Sequence, residues 1–334
     1  MPTVLITGGT GMIGKALSRA LLEKGYHVVV LSRTGLETRY AIRNTGLTNK
    51  TLENHGSRIS HPASLKYAHW NIETNQIDND AIATADHIIH LAGASVADKR
   101  WTKKRKQEIR DSRVKSGKLL VNSLKNIPNR VKSVISISGI GYYGPDNSDR
   151  NAFKEADAPY NDFLAQVCQQ WESTMQPVTG LGKRLVILRT GVVLSSEGGA
   201  LKEFLKPLKF GFATILGSGK QIISWIHIED LVKLFISAIE NENYSGVYNA
   251  VAPNPVSNRK FVLEMARIKK KFFIPVHVSS FVLRTVLGEM SVEVLKSAKV
   301  SSKKIENNGF SFHFPVIKSA LNDLLKKDPG PNPG

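Results

Sequence analysis

Thr3-Val-Leu-Ile-Thr-Gly-Gly-Thr-Gly-Met-Ile-Gly14 runs from an apolar β-rich stretch, through a glycine-rich turn, into a helical pattern. The spacing predicts a strand at 3–7 and a helix at 12–24. Gly8 allows the tight turn, Gly11 leaves out the Cβ that would obstruct a phosphate, and Gly14 lets the helix sit close on the sheet. The first N–H groups of a helix have no intrahelical acceptor, so they point at whatever anion occupies the turn. Three glycines alone would also make a plain strand-to-helix corner. Their place directly after a first strand makes a dinucleotide pyrophosphate cradle the better reading, with Thr10, Met12 and Ile13 completing it.

Outward from that turn, apolar β-rich runs alternate with amphipathic stretches. Strands are expected at 27–31, 65–69, 87–92, 131–138, 184–188 and 246–250, and helices at 103–126, 163–175 and 229–240. Such alternation predicts an α/β fold, a Rossmann-type doubly wound parallel sheet. Residues 1–250 would form the dinucleotide-binding domain, with substrate-lobe insertions around 194–226. Beyond Ala250, Pro253, Pro255 and Pro275 break the chain into short pieces, with helices at 279–287, 291–297 and 316–326, so 251–327 reads as a small, mainly helical C-terminal lobe. The polar stretch 36–64 is expected to decorate the surface, and 328–334 to be disordered.

The 334 residues, 41% hydrophobic, suffice for a large core and have the composition of an ordinary soluble globular chain. The amino-terminal stretch does not read as a signal peptide, and no apolar run reaches membrane-spanning length. One cysteine, Cys168, excludes an internal disulfide framework and fits a reducing cytoplasm, and no Cys/His cluster has metal-ligand spacing. A net charge of +18 invites a nucleic-acid reading. The basic runs, Lys99 to Lys106 and the lysines within 268–271, are punctuated by acids such as Glu108 and Asp111, however, and complete no nucleic-acid motif. They read as solvated helix faces, and a small molecule is the expected partner.

Ser32-Arg33 ends the second predicted strand, about twenty residues past the glycine turn, where a carboxylate would hold a ribose diol. A hydroxyl and a guanidinium suit a 2′-phosphate instead, so the expected cofactor is NADP(H). Leu91, Ala92 and Gly93, small or slender residues at a later strand end, would let the chain pass close to the cofactor.

Taken together, Gly8 to Gly14, Leu91-Ala-Gly-Ala94 with Asp98-Lys-Arg-Trp101, Ser138-Gly-Ile-Gly-Tyr-Tyr-Gly144, Phe163-Leu-Ala-Gln-Val-Cys-Gln-Gln-Trp-Glu172, Arg189-Thr-Gly-Val-Val-Leu194, Gly217-Ser-Gly-Lys-Gln221, Ser224-Trp-Ile-His-Ile-Glu-Asp230 and Gly246-Val-Tyr-Asn-Ala250 resemble an extended short-chain dehydrogenase/reductase. The resemblance spans nearly the whole chain and is narrower still to the atypical NAD(P)-dependent epimerase-family branch with a C-terminal domain of unknown function. Some members of that branch carry a cell-division-inhibitor label that none of these residues supports. The resemblance implies hydride exchange with a small polar substrate, as in an oxidoreductase or a nucleotide-sugar epimerase. It also implies cofactor contacts at Thr190, Gly191 and Val192, at the nicotinamide end.

Hydride-transfer members of the wider family use a tyrosine, a lysine four residues later and a serine. The resemblance places Leu164 and Cys168 at the first two positions, where neither can do that work. Ser138, or Ser136 one register away, falls at the serine position, and Tyr142 is the candidate phenol, because Tyr143 fits a packing role. Lys99 and Arg100 are candidate contacts for an anionic substrate. His227, among apolar neighbours, reads as a hydrogen-bonded structural histidine, and Glu229 with Asp230 as the cap of the next helix. A non-catalytic NADP(H)-sensing or scaffold protein is the alternative. The chain is expected to be a monomer or a homodimer, although the basic helix at 103–126 would repel its twin.

Overall fold

A computed structural model describes residues 1–33, 63–146, 151–269 and 272–326. Nearly all of the predicted surface stretch 36–64, and the predicted tail 328–334, lie outside the described residues. The chain opens with β1 (Thr3–Thr7), α1 (Met12–Glu23) and β2 (His27–Ser32), followed by β3 (Leu65–Asn71), β4 (Gln76–Ile77), α2 (Asn79–Thr84), β5 (His87–His90) and the long α3 (Lys103–Asn126). Next come β6 (Ser133–Gly139), a single turn of 3-10 helix (Ile140–Tyr142), α4 (Phe163–Met175), α5 (Pro177–Gly180), β7 (Arg184–Thr190) and β8 (Val192–Leu194). The rest comprises α6 (Ala200–Leu208), β9 (Phe212–Leu216), β10 (Ile222–Ile223), β11 (Trp225–His227), α7 (Ile228–Glu240) and β12 (Gly246–Ala250), then β13 (Val256–Ser257), α8 (Asn258–Ile268), β14 (Ile274–Val278), α9 (Ser280–Leu287), α10 (Ser291–Leu295), α11 (Lys303–Asn307) and α12 (Ile317–Lys326). No described helix is long and apolar enough to cross a membrane.

Eight strands form the main sheet in the order β12-β7-β6-β5-β1-β2-β3-β4, parallel throughout except for β4. This is the doubly wound Rossmann-type sheet expected from the alternating pattern. Both faces are buried, so the strands read as continuous apolar runs. Val4 and Ile6 enter one apolar cluster with Leu17 and Leu21 of α1 and Phe235 of α7, whereas Leu5 enters a second with Ile82 of α2 and Leu120 of α3. The chain steps outward from β1 to β3 and then returns to β5 on the other side of β1. Thr7 therefore lies opposite both Leu31 and His90, and the crevice at the carboxyl ends opens where the strand order reverses.

Among the strand ends that differ from the sequence expectation, those of β5 and β7 do so for identifiable reasons. Strand β5 stops at His90 rather than 92, because the Ala92 N–H turns to the Thr7 hydroxyl and the Leu91 N–H is shared between that hydroxyl and the Thr7 carbonyl. Strand β7 runs on to Thr190 rather than 188, because β12 pairs with it as far as Ala250 opposite Thr190.

The C-terminal lobe is mainly helical but holds two strands that its pattern does not show. Pro275 lies in β14, which pairs in parallel with β9 alone, as suits a residue with no N–H to give a ladder. The lobe is also not separately cored. Phe310, Phe314, Ile317, Leu321 and Leu324 belong to the apolar cluster that contains Val4 and Leu17.

Candidate functional site

Gly8 has φ +69°, and a Cβ there would stand 2.9 Å from the Leu91 carbonyl carbon, so the turn needs glycine both for its conformation and for the close passage of the β5 end. Gly14 is closest not to the sheet but to the turn itself, where an added Cβ would be 2.5 Å from both the Gly8 oxygen and Gly9 Cα. Gly9, which the pattern did not single out, lies against Val30 of β2, 2.7 Å from an added Cβ. At Gly11 an added Cβ would meet only the Gly8 oxygen, at 3.4 Å, and otherwise enter open space. Thr10 and Gly11 are exposed and Met12 and Ile13 half-buried.

Helices α3, α4, α7 and α8 each begin under a side-chain cap, from Thr102, Asp162, His227 and Ser257. Helix α1 has none, and no acid in its first turn. Its N-terminal donors and dipole are thus left for an external anion. Gly198 and Gly199, between β8 and α6, pack on Met12 and close one side of this helix end.

Beneath the turn lies a buried polar relay that the sequence reading missed. The Thr7 hydroxyl accepts the Leu91 and Ala92 N–H groups at 3.1 and 3.2 Å and lies 2.8 Å from His90 Nδ1. With its lone pairs so engaged, the hydroxyl donates its proton to Nδ1, which leaves the imidazole proton on Nε2, 3.5 Å from the Ser116 hydroxyl. Burial, aided by the Arg113 charge, pushes His90 down to about 4 and keeps it neutral.

Ser32 is buried at the end of β2, and Arg33 is exposed immediately after it. Leu91 is half-buried, Ala92 buried and Gly93 exposed on the other side of the strand-order reversal. Thr190 is buried with its hydroxyl on the Leu188 carbonyl. Gly191 lies so close to Ser224 that a Cβ would be 2.5 Å from the Ser224 oxygen, and Val192 is half-buried.

The candidate chemical residues meet at the end of β6. The Ser138 hydroxyl donates to Glu172 Oε1 at 2.7 Å. Glu172 is held in a two-pronged pair by Arg189, Nε to Oε1 at 2.9 Å and Nη2 to Oε2 at 2.8 Å. Burial works against the Arg189 charge, but its bonds to Glu172 more than compensate and it stays cationic. Arg189 Nη1 reaches the Tyr143 hydroxyl, which donates to Asn249 on β12 at 2.8 Å. Tyr143 is fully buried and its phenol is pushed up to about 12 by burial, which fits the packing role expected of it. Tyr142, half-buried, carries the Arg189 guanidinium 3.4 Å above its ring centre. A charged residue directly after the predicted apolar strand 184–188, Arg189, was the sequence signal for this network.

Leu164 and Cys168 pack against the segment after Ser138. Added Cβ atoms would lie 3.2 Å from Leu164 Cβ at Gly141 and 3.7 Å from Cys168 Sγ at Gly139. Burial, followed by the Glu172 charge, pushes the Cys168 thiol up to about 11. The folded protein is therefore expected to leave a thiol-specific chromogenic reagent unreacted near pH 8, with one equivalent released only in denaturant. Rapid reaction of the native protein would show that Cys168 is accessible and ionised.

Lys99 is exposed. Arg100 donates to the Thr285 carbonyl of α9 at 3.2 Å, and Lys106 pairs with Glu289, so the loop after β5 and the start of α3 are tied to the C-terminal lobe. The basic run is not wholly a solvated face, since Arg105 is buried against the Ser95 carbonyl and pairs with Glu108. His227 lies 3.3 Å from Asp323, and its Nδ1 accepts the Glu229 N–H, so this histidine, and not Glu229 or Asp230, caps α7. Asp230 instead accepts the His313 and Phe314 N–H groups and clasps the approach to α12. His227, Glu229 and Asp323 lie close to one another beside a cleft of about 670 Å³ between α1 and α7, which shares no residue with the cradle.

Comparison with known proteins agrees with this geometry. A 327-residue stretch is 36% identical to an epimerase family protein of Staphylococcus saprophyticus, covering 97% of this chain and all of the relative. A human epimerase family protein, solved with NADPH, superposes with a TM-score of 0.80 at 27% identity over 97% of this chain and 99% of the other. A nucleoside-diphosphate sugar epimerase from Corynebacterium glutamicum gives a TM-score of 0.72 at 30% identity over 97% of this chain and 58% of the other. Residues 278–324 match a domain of unknown function, DUF1731. With residues 4–250 matching the family's description, the chain belongs to the NAD dependent epimerase/dehydratase family.

Proposed function

We propose that this chain binds NADP(H) in the crevice above β1, β2, β5 and β6 and exchanges hydride there with a small polar substrate. The observation that carries the reading is the end of β2, where Ser32 and Arg33 stand in place of a ribose-binding carboxylate beside an uncapped helix and an open glycine turn. In this reading Gly8, Thr10, Gly11, Met12 and Ile13 hold the pyrophosphate, and Ser32 and Arg33 hold the 2′-phosphate. Leu91, Ala92 and Gly93 pass beside the ribose, and Thr190, Gly191 and Val192 border the nicotinamide. The NADPH of the human relative supports the phosphorylated form.

When bound, the cofactor supplies or accepts the hydride. The chain's own residues then orient the substrate and move its proton. Ser138 keeps its proton toward Glu172 and so presents its remaining lone pair, while the Tyr142 phenol is the candidate proton donor. Lys99, exposed at the mouth, is the proposed contact for substrate anionic groups, with Arg100 beside it on its tether to α9.

Calorimetry is expected to show tighter binding of NADPH than NADH, with Arg33→Ala weakening NADPH about tenfold or more, at least ~1.4 kcal/mol, and leaving NADH unchanged. Equal loss for both nucleotides would remove the 2′-phosphate assignment. The neutral, buried Cys168 favours a second reading, an NADP(H) sensor without turnover. Transfer of deuteride from stereospecifically labelled NADPH to any member of a metabolite library would exclude it.

A further inference from the structure

Arg113 projects from α3 into the wall between the β5 end and α4. Its Nη1 donates to the Ala94 carbonyl at 3.0 Å and to the Ile109 carbonyl at 2.9 Å. Its guanidinium carbon lies 4.9 Å over the Trp171 ring, and a Cβ added at Gly93 would be 3.0 Å from it and 3.2 Å from Nη2. The side chain is half-buried, and burial draws its pKa down to about 10, so it remains cationic at neutral pH. No carboxylate among the described residues offsets it, and the nearby Arg105 charge is of like sign.

A half-buried guanidinium held only by carbonyls and a ring keeps donors free for further acceptors. Nη1 takes both carbonyl bonds, and Nε and Nη2 make none to the described residues. The position of the group says what those acceptors are. Gly93 and Ala94 follow β5, across the strand-order reversal from Ser32 at the end of β2 and Arg33 just after it. If the adenosine half of a dinucleotide lies over β2, the other half lies over β5 and β6. Arg113 stands beside that second half and beside Cys168, where the neutral thiol leaves α4 without a cation.

We infer that Arg113 hydrogen-bonds the ribose hydroxyls of the cofactor's nicotinamide half, so that α3 supplies the fixed positive charge that α4 lacks. This rests on the NADP(H) reading above. The test compares NADPH with 2′,5′-ADP, which has the 2′-phosphate but no nicotinamide riboside, by titration calorimetry on the full chain. Arg113→Met is expected to weaken NADPH tenfold or more while 2′,5′-ADP stays within twofold of the unaltered protein. Arg113→Lys, which keeps the charge but has one nitrogen to share between carbonyls and ligand, is expected to lose threefold or more for NADPH alone, and it decides the matter if the methionine variant does not fold. Unchanged NADPH affinity, or equal loss of both ligands, overturns the assignment. Failure of the unaltered protein to bind either ligand would instead overturn the cofactor reading itself.

Discussion

Glu172→Ala is expected to lower the unfolding free energy by about 3–5 kcal/mol, because it strands the Arg189 guanidinium in the interior without its counter-ion. Arg189 is 3% exposed and Glu172 8%, and the substitution removes both bonds of the two-pronged pair together with the acceptor of Ser138. What remains to Arg189 is the Tyr143 hydroxyl, the Glu155 carbonyl and the Tyr142 ring. A domain of ordinary stability has only about 5–15 kcal/mol in total, so the variant should unfold at much lower urea. Glu172→Gln, which keeps the shape and loses the charge, should fall between the two. The double variant Glu172→Leu with Arg189→Met should recover much of the loss, since two apolar side chains need no compensation. A urea midpoint for Glu172→Ala close to the starting protein's would mean that the pair contributes nothing net. The same network runs through Tyr143 and Asn249 to the Ser301 carbonyl, so the loss should also loosen the C-terminal chain from β12.

Stability is expected to fall steeply on acidification because of His90. Its folded pKa of about 4 lies below the ordinary 6.5, so between these values the unfolded chain binds the proton and the folded chain does not. The contribution is fully present above pH 6.5, declines as the pH falls, and is lost by pH 4. A gap of 6.5 minus 4, or 2.5 units, corresponds to about 3 kcal/mol. His87, also lowered by burial, adds in the same sense. Protonating His90 at Nδ1 would face one proton with another, because Thr7 already donates there, and turning the Thr7 hydroxyl would break its hold on Leu91 and Ala92. Acid should therefore loosen the crevice floor first. Urea unfolding at several pH values should show the decline, and His90→Asn, which offers an acceptor at the Nδ1 position and does not titrate, should flatten it. An equal slope in both proteins would place the acid sensitivity elsewhere.

Much of this arrangement was legible in the residues, and the reason is range. The strand 3–7, the glycine turn and the start of α1 lie within fourteen residues, so alternation, turn conformation and helix-start chemistry act on the same short piece. Ser32-Arg33 is readable for the same reason, one strand further on. The ends of β5 and β7 were misplaced because they depend on Thr7 and on β12, each some sixty or more residues away. Gly9 carried a local signal that the three-glycine spacing passed over, since its neighbour is Val30 of the next strand.

By itself, the sequence determined a doubly wound sheet with a glycine turn after its first strand, and an α4 helix bearing Leu164 and Cys168 where the resemblance implies a tyrosine and a lysine. Only the tertiary structure decided which polar groups face one another. Glu172 meets Arg189 across α4 and β7, Thr7 meets His90 across 83 residues, and Arg113 of α3 stands beside Cys168 of α4. Such pairs have no period or local propensity to announce them. They exist because the packing of the sheet and its helices brings distant polar groups into a dry interior, where each must find a partner or be stabilised by a ring, a carbonyl or a ligand.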